Sequence, residues 1–267
     1  MRRSGSLRSV VLLLPVILPV ILVAGLLAAS ATPAGAWEPL PADVDADYQL
    51  GGNAALPDDV GVVVRDRRAA PAPERYNVCY VNAFQTQPDE KAFWQARPRL
   101  LLTDADGDRV VDAAWGEWLL DLRSAPDRRD LVRIVGRWID RCAADGFDAV
   151  EFDNLDSFTR SRGLLTRADA LTYARALVVR AHAADLAVAQ KNLAGYDGRR
   201  LGFDFAIAEE CGRYRECAAY VEDYGDQVLM VEYGDAGFAR ACAEFGDRVS
   251  VVRRDRALAP SYRPRWC

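Results

Sequence analysis

Short apolar runs alternate with amphipathic stretches along most of the chain. Nine of these runs predict β-strands: Tyr48–Gly52, Gly61–Arg65, Asn77–Asn82, Glu117–Leu122, Asp148–Asp153, Ala187–Asn192, Asp204–Glu209, Gln227–Tyr233 and Val249–Arg253. Several are continuously apolar instead of alternating with polar residues, which is typical of strands that are covered on both faces. Since helical stretches separate the later runs, their order indicates a parallel sheet with right-handed crossover connections.

Four amphipathic stretches predict helices: Asp127–Asp145, Thr166–Asp185, Glu216–Tyr224 and Gly237–Phe245. The first has apolar residues every three or four positions and stops at a glycine, which is a common helix end. The second opens on Thr-Arg-Ala-Asp, a variant of the capping box in which an aspartate stands in for the usual glutamate. Strand and helix therefore alternate through the C-terminal half of the chain.

This alternation and the length of 267 residues predict an α/β fold. We expect a single (β/α)8 barrel of the TIM type over residues 48–267, after an extended lead-in over residues 37–47. Nine strand candidates exceed the eight positions of such a barrel, so one of them has to lie outside it. A doubly wound open sheet is the alternative. No Gly-x-Gly-x-x-Gly follows the first strand and no Walker motif occurs, which disfavours nucleotide binding.

The N-terminal segment is predicted to be a signal peptide over residues 1–36. Three arginines precede an apolar run, Val10–Ala29, and small residues follow it at Ala34-Gly35-Ala36, so we expect cleavage before Trp37 and secretion. An uncleaved membrane anchor is the alternative, because about 20 apolar residues can span a bilayer. Two prolines inside the run favour cleavage, after which we expect no stable insertion into a membrane.

The net charge of the chain is −5, and it becomes more negative once the arginines of the leader are removed. An acidic surface is unfavourable for nucleic acid, whose phosphates need a basic face, so we expect no nucleic-acid partner. The same surface is compatible with a cationic substrate, which it would attract over long distances. We expect neither a cofactor nor a bound metal, and we expect a monomer.

Six cysteines in an exported chain predict disulfides. Closeness in sequence suggests the pairs Cys211–Cys217 and Cys242–Cys267, and it leaves Cys79 with Cys142. A metal site is the alternative. It is disfavoured by the spacing of the cysteines and by the lack of histidine partners.

Polar residues close most of the predicted strands, at the edge of a parallel barrel where active sites form. They are Asp121, Glu151, Asp153, Asp156, Lys191, Asn192, Glu209, Glu210, Glu232 and Tyr233. Carboxylates that are crowded together raise the pKa of at least one of them, which a general acid near neutral pH requires. Two carboxyls on different strands, facing each other across a cleft, are the apparatus that cleaves glycosidic bonds.

Strand alternation narrows the choice of catalytic residues. Glu151 and Asp153 share one face of their strand, and Asp153 is nearer to the mouth of the barrel. We therefore expect Asp153 and Glu209 to be catalytic and the other polar residues above to bind substrate. A turn residue is the alternative for Asp153, and a surface acid is the alternative for Glu209. Sugar rings pack on aromatic faces, and the candidates for such contacts are Tyr48, Tyr80, Trp94, Trp115, Trp118 and Tyr233, of which Tyr48, Tyr80 and Tyr233 are our predicted binding residues.

Seven runs along the chain carry a further signal: YQLGG, YNVCYVNAFQTQP, GEWLLDLRS, GFDAVEFDNLDSF, LAVAQKN, FDFAIAEECGRYREC and VEYGD. They resemble glycoside hydrolase family 114, the endo-α-1,4-polygalactosaminidases, over roughly Tyr48 to Asp255. The resemblance implies a (β/α)8 barrel that hydrolyses α-1,4-linked galactosamine polymers, which are cationic when deacetylated. It also implies catalytic roles for Asp153 and for Glu209, the first acid of the Glu-Glu pair.

The chain departs from this family at the Glu-Glu pair. The family motif commonly reads Asn-Glu-Gln-Cys, and this chain has Ala208-Glu209-Glu210-Cys211. The difference removes an amide beside the acid and adds a charge, so Glu210 stays open as an alternative to Glu209.

Other functions fit the sequence less well. A serine hydrolase needs a histidine base, and the single histidine, His182, falls within a predicted helix. The segment 104–108 resembles the start of an EF-hand loop, but its glycine comes two places early and Trp115 stands where the bidentate glutamate should be, so we predict a hairpin turn. A non-catalytic carbohydrate-binding barrel of the extracellular matrix is the alternative to an enzyme.

Overall fold

The computed structural model of the chain describes residue 5, residues 37–42 and residues 44–267. The rest of the predicted signal peptide lies outside the described residues. Among the helices of the described part, none is long and apolar enough to cross a bilayer.

Eleven strands occur in the described part of the chain. In chain order they are β1 (Asp45–Gln49), β2 (Val60–Asp66), β3 (Tyr76–Asn82), β4 (Val111–Asp112), β5 (Glu117–Trp118), β6 (Ala149–Asp153), β7 (Ala187–Lys191), β8 (Phe205–Glu209), β9 (Val228–Glu232), β10 (Ser250–Arg253) and β11 (Arg265–Trp266). Eight of them pair in parallel in the order β1-β2-β3-β6-β7-β8-β9-β10, and β11 adds to β10 in the antiparallel direction.

Six helices accompany these strands: α1 (Lys91–Gln95), α2 (Ala125–Asp145), α3 (Arg167–His182), α4 (Cys211–Tyr214), α5 (Cys217–Tyr224) and α6 (Asp235–Phe245). The predicted capping box at the start of α3 is confirmed, because Thr166 and Asp169 each bond the other's backbone N–H. Helix α2 ends at Gly146, whose left-handed φ of 90° gives the predicted stop. Short 3₁₀ turns cover Pro88–Glu90, Pro98–Leu100, Ser157–Arg160 and Gly198–Leu201.

The eight parallel strands form a nearly closed barrel of the TIM type. Between β10 and β1, side chains replace the backbone ladder: Ser250 Oγ donates to Val44 O at 2.6 Å, Arg254 Nη1 to Tyr48 O at 2.8 Å, and Trp266 Nε1 to Ala46 O at 2.7 Å. The predicted barrel is therefore confirmed, and the doubly wound open sheet is excluded.

The fourth candidate strand in chain order, Glu117–Leu122, lies outside the barrel, so our expectation that it ends at the active-site edge is wrong. Its first two residues form β5, which pairs with β4 in a separate hairpin. The next two residues, Leu119 and Leu120, form isolated bridges with Gln85 and Leu101. The backbone of this segment is therefore hydrogen-bonded outside the main sheet, and none of it joins that sheet. Removing this candidate leaves eight strands for eight positions. Strand β1 starts at Asp45, within the predicted lead-in.

Two apolar layers follow the alternation of side chains along each barrel strand. One fills the barrel and includes Tyr48, Tyr80 and Ile207. The other lies between the strands and the surrounding helices and includes Val150 and Phe152. All three predicted disulfides, Cys79–Cys142, Cys211–Cys217 and Cys242–Cys267, are present.

Candidate active site

A cavity of about 370 Å³ opens at the C-terminal ends of the barrel strands. Its lining residues are Tyr48, Leu50, Gly51, Tyr80, Trp115, Glu117, Asp153, Asn154, Asp156, Arg160, Lys191, Asn192, Glu209, Tyr233, Arg256, Ala257 and Leu258. This is the end of a parallel barrel at which the sequence predicted a site.

Three neighbouring strands end in the same way at this mouth. Strands β6, β7 and β8 finish on Asp153, Lys191 and Glu209. The next residue in each case is left-handed, with φ of 66° at Asn154, 53° at Asn192 and 55° at Glu210. The left-handed backbone conformation turns the chain sharply, and it is energetically unfavourable for residues other than glycine or asparagine. The three polar side chains are thus held at the ends of rigid strands, facing one another.

Lys191 lies at the centre of this group. Its Nζ is 2.7 Å from Glu151 Oε1, 3.1 Å from Asp153 Oδ1 and 3.3 Å from Glu209 Oε2. Its side chain is 2% exposed, so a buried ammonium is shared by three carboxyls. Burial alone would lower the pKa of Lys191, but the three carboxylates outweigh it and hold that pKa well above the ordinary value. The Lys191 side chain is therefore charged at neutral pH.

The Asp153 carboxyl is held in its ionised form. Burial acts to raise its pKa, but the Lys191 ammonium and the hydrogen bond from Tyr80 outweigh burial, so the net shift lowers the pKa. Tyr80 OH donates to Asp153 Oδ2 at 2.6 Å, and Lys191 contacts the other oxygen. An aspartate with both oxygens bound in this way is suited to act as an anion during a reaction.

Glu151 lies one layer below the cavity and is completely buried. Burial raises its pKa to about 7 in spite of the adjacent lysine. Tyr48 OH donates to Glu151 Oε1 at 2.8 Å and also lies 2.8 Å from Lys191 Nζ. Glu151 and Tyr48 therefore fix the position of the lysine from beneath.

Glu209 is bound by two polar groups beside Lys191. Tyr233 OH donates to Oε1. Asn192 Nδ2 approaches Oε2 at 3.4 Å, and Asn192 Oδ1 accepts the backbone N–H of Glu209 at 2.8 Å. The amide that the family motif carries just before this acid is replaced here by Ala208, which faces the outer apolar layer. Asn192, which follows the neighbouring strand β7, supplies an amide to the Glu209 carboxyl.

Four of the predicted binding residues do not line the cavity: Glu151, which lies beneath it, and Glu210, Glu232 and Asp121. Glu210 pairs with Arg213 and Arg256, with Nη–Oε distances of 2.7 Å to each. Glu232 points outward from β9, where Oε1 accepts the N–H of Gly212 at 2.5 Å. Asp121 belongs to the segment outside the barrel and is bound by Arg123 at 2.6 Å.

The remaining predicted binding residues, Asp156, Lys191, Asn192, Tyr48, Tyr80 and Tyr233, all line the cavity. Asp156 is paired with Arg160, whose Nη2 is 2.9 Å from Oδ1. Of the other aromatic candidates, one tryptophan lies at the cavity rim, Trp115, while Trp94 is completely buried in the outer layer.

Sequence reasoning did not select Glu117, Asn154, Arg160 or Arg256, which also line the cavity. Asn154 follows a strand-terminal acid, and the rule that active-site residues follow barrel strands could have included it. Arg256 follows β10, so the same rule applies to it. Glu117 had no such signal, because the hairpin that carries it folds back over the mouth from outside the barrel.

Solved structures similar to this chain include the Aspergillus fumigatus Ega3 complex with galactosamine. It is 23% identical with a TM-score of 0.66, over 85% of this chain and 96% of that one. The glycoside hydrolase domain of PelA from Pseudomonas aeruginosa is 14% identical with a TM-score of 0.57, over 83% of this chain and 98% of that one. At these identities the likeness concerns the fold. No curated protein matches the sequence.

The model of glycoside-hydrolase family GH114 matches residues 27–267. This span includes all eight barrel strands and every residue that lines the cavity. The resemblance drawn from the sequence motifs is thereby confirmed. The chain belongs to glycoside-hydrolase family GH114.

Proposed function

We propose that this chain is a secreted glycoside hydrolase that cleaves α-1,4-linked galactosamine-containing polysaccharide, with Asp153 and Glu209 as its two catalytic carboxyls. The observation that carries the proposal is that both carboxyls touch one buried ammonium, Lys191 Nζ, at the open end of the barrel. The pair lies on different strands and lines the same cavity, as cleavage by two carboxyl groups requires.

We propose that the reaction retains configuration, because the two carboxyls meet at a single ammonium. Asp153 Oδ1 and Glu209 Oε2 lie 3.1 Å and 3.3 Å from the same nitrogen, so they can be at most about 6.4 Å apart, the sum of those distances. Retaining glycosidases hold their carboxyls roughly 5–5.5 Å apart, and inverting ones roughly 6.5–9.5 Å apart, because a water has to fit between. This limit applies to one oxygen of each carboxyl, and two carboxyls that share one ammonium are compatible with the shorter, retaining separation.

The environments of the two carboxyls assign their roles. Asp153, whose pKa is lowered by Lys191 and Tyr80 against the effect of burial, is the nucleophile. It attacks the anomeric carbon as the glycosidic C–O bond breaks, and Glu209 gives its proton to the leaving oxygen. In the second step Glu209 takes a proton from water, the water oxygen bonds to the anomeric carbon, and the Asp153 carboxylate is released. The Lys191 ammonium offsets the negative charge of whichever carboxyl, Asp153 or Glu209, is ionised at each step.

Cationic amino sugars suit the charge around the cavity. Four acidic side chains line it, those of Glu117, Asp153, Asp156 and Glu209, against three basic ones, those of Arg160, Lys191 and Arg256, which leaves a small excess of acidic groups. Ega3, a structural relative, was solved in complex with galactosamine. Three disulfides fit an oxidising compartment, which supports the proposed secretion.

The direct test is incubation of the purified protein with partially deacetylated galactosaminogalactan, followed by measurement of new reducing ends. We expect reducing ends to accumulate with time. Binding of the polymer without any product would contradict hydrolysis and would favour the non-catalytic carbohydrate-binding barrel. Chitosan, a β-1,4-linked amino-sugar polymer, is the matched control for linkage and charge, and it should not be cleaved.

A further inference from the structure

One wall of the cavity belongs to the β4–β5 hairpin and is formed by Trp115 and Glu117. We call these two residues the hairpin wall. Trp115 is 59% exposed, whereas Glu117 is only 8% exposed. A turn positions them, in which Trp115 N and Gly116 N donate to Asp112 O at 3.3 Å and 2.8 Å. The wall thus offers an open aromatic face and, beside it, a buried carboxyl.

Glu117 differs from the other carboxyls of the cavity in having no cation beside it. Asp153 and Glu209 share Lys191, and Asp156 pairs with Arg160. Arg160 is already bound by Asp156 and by Asp112, the latter at 2.9 Å, and it acts on Glu117 only at longer range. Among the four carboxyls that line the cavity, Glu117 is the one without an ion pair to a described residue.

Amide groups take the place of a cation, and they reach one oxygen only. Asn82 Nδ2 donates to Glu117 Oε2 at 3.0 Å, and Asn154 Nδ2 approaches the same oxygen at 3.5 Å. Gln85, with its amide turned to donate, reaches Oε2 at 3.0 Å. Each of these bonds goes to Oε2, which leaves Oε1 of a cavity-lining carboxyl available to a ligand.

A buried carboxyl without a cation is costly to ionise. Burial raises the pKa of Glu117 to about 7, and the nearby Asp153 and Asp112 act in the same direction, while Asn82 and Arg160 oppose it. A cationic ligand at Oε1 would supply the missing counter-charge and favour the ionised form. A neutral ligand could offer a hydrogen bond at most.

We propose that Glu117 is a specificity-determining residue, which binds the ammonium group of a deacetylated amino sugar while Trp115 packs against the apolar face of the ring. An N-acetylated sugar has a neutral amide at that position and gives Glu117 no counter-charge. The inference rests on the proposed function for the class of ligand. It adds the residue that makes the site select for a free amine.

The position of Glu117 puts this contact close to the point of cleavage. Asn154 Nδ2 lies 3.4 Å from Asp153 Oδ2 and 3.5 Å from Glu117 Oε2. The two carboxyl oxygens are therefore at most about 6.9 Å apart, the sum of those distances. The sugar that Glu117 recognises is the one over Asp153 or its immediate neighbour in the polymer.

The test measures equilibrium binding of a thio-linked α-1,4-galactosamine disaccharide, which cannot be hydrolysed, and of its N-acetylated counterpart. Isothermal titration at neutral pH compares the wild-type protein with Glu117→Gln. We expect the variant to lose about tenfold or more in affinity for the ammonium ligand, the worth of a hydrogen bond to a charged group, and less than about threefold for the N-acetylated one. Equal losses for both ligands, or no loss for either, would overturn the proposal.

Three further variants separate charge from shape and from folding. Glu117→Asp keeps the charge, so it should keep the preference for the ammonium ligand even if binding weakens. Trp115→Ala should weaken both ligands by the same factor, because ring packing does not depend on the charge. Glu244→Gln removes one charge from the exposed side of α6 and should change neither affinity. Loss of preference in Glu117→Asp, with its melting temperature unchanged, would count against the assignment.

The outcome is independent of whether the protein is a hydrolase. A protein that binds the ammonium disaccharide in a Glu117-dependent manner but releases no reducing ends from polymer would contradict the proposed function alone. A protein that cleaves polymer but shows no Glu117-dependent preference would contradict the present inference alone.

Discussion

A group of three carboxyls around Lys191 and the single carboxyl of Glu117 lie at the same end of the barrel and are stabilised in different ways. Around Lys191, the carboxyls of Glu151, Asp153 and Glu209 lie within 3.3 Å of a single ammonium. Across the mouth, Glu117 is held only by amide groups. The first group has its counter-charge built into the barrel, whereas the second acquires one only from a ligand.

The two arrangements suit two different functions, catalysis around Lys191 and substrate recognition at Glu117. In the first group, Lys191 and Tyr80 hold the pKa of Asp153 low, so this carboxylate stays ionised whether or not substrate is present, as a nucleophile must. A carboxyl without a partner changes its protonation state when a cation binds, which couples binding to charge. The barrel strands carry the first group and the covering hairpin carries the second, so each function is assigned to a different part of the fold.

The largest effect is expected from the replacement of Asp153 by asparagine. The variant keeps the size of the side chain, but it replaces one accepting oxygen by an NH₂ group that donates, and it cannot form the covalent bond to the sugar, so kcat/KM should fall roughly 10⁴-fold or more. Reducing-end release from the galactosamine polymer measures this. Asp226→Asn, at an exposed ion pair with Arg248, is the matched control and should retain full activity. Activity within tenfold of wild type in Asp153→Asn would remove this residue from the mechanism.

Removal of the cation from the first group should have the next largest effect. Lys191→Met leaves three buried carboxyls without their counter-charge, and the loss of one partner from a buried ion pair costs about 3–5 kcal/mol. Urea unfolding at pH 8 should report a loss of this size in the free energy of unfolding. The double variant Lys191→Met/Glu151→Gln removes one of the three carboxyls that have lost their counter-charge. It should therefore recover part of the lost free energy of unfolding. A loss below about 1 kcal/mol in the single variant would mean that the lysine is not the counter-charge.

The carboxyl of Glu117, which has no ion pair, should make the free energy of unfolding depend on pH. The pKa of Glu117 is raised from 4.5 to about 7 by folding, so the folded state holds this proton more tightly than the unfolded state. Stability is therefore lost as the pH rises from about 4.5 to about 7. Glu117→Gln does not titrate, and between pH 4.5 and pH 8 its free energy of unfolding should gain about 3 kcal/mol relative to wild type. Parallel stability curves for the two proteins would contradict the assignment.

The smallest effect is expected at the acid next to the catalytic glutamate. Glu210 does not line the cavity and pairs with Arg213 and Arg256, so Glu210→Gln should change kcat/KM by less than about threefold. Glu209→Gln should lower it by roughly 10²–10⁴-fold, the contribution of a general acid–base. If the two variants exchanged these effects, Glu210 would be the acid–base and the geometry of the mouth would need a different interpretation.

The barrel and the centre of the site were predictable from the sequence. Continuous apolar runs ending in Asp153, Lys191 and Glu209 signal buried parallel strands with polar ends, and alternation along each strand fixes which side chains face inward. The same alternation, applied strictly to β9, would have put Glu232 on the outside, because Leu229 and Val231 fill the barrel. Our inclusion of Glu232 came from its sequence position near the strand end.

The hairpin wall was not predictable in the same way. The run Glu117–Leu122 has the apolar character of a barrel strand, and only tertiary pairing shows that it bonds to Gln85 and Leu101 and not to the sheet. A short apolar run does not indicate which other segment of the chain will form hydrogen bonds with its backbone. The position of Glu117 at the cavity depends on that long-range choice, and so does the displacement of Asp121 from the site.

The measurement that tests the central claim most directly is the anomeric configuration of the first product. Proton NMR of a fresh digest of an α-1,4-galactosamine oligomer resolves the two anomers before they equilibrate. If Asp153 and Glu209 act as the closely spaced pair described above, the α-anomer appears first and the β-anomer follows by mutarotation. Initial release of the β-anomer, or no cleavage at all, would contradict the account.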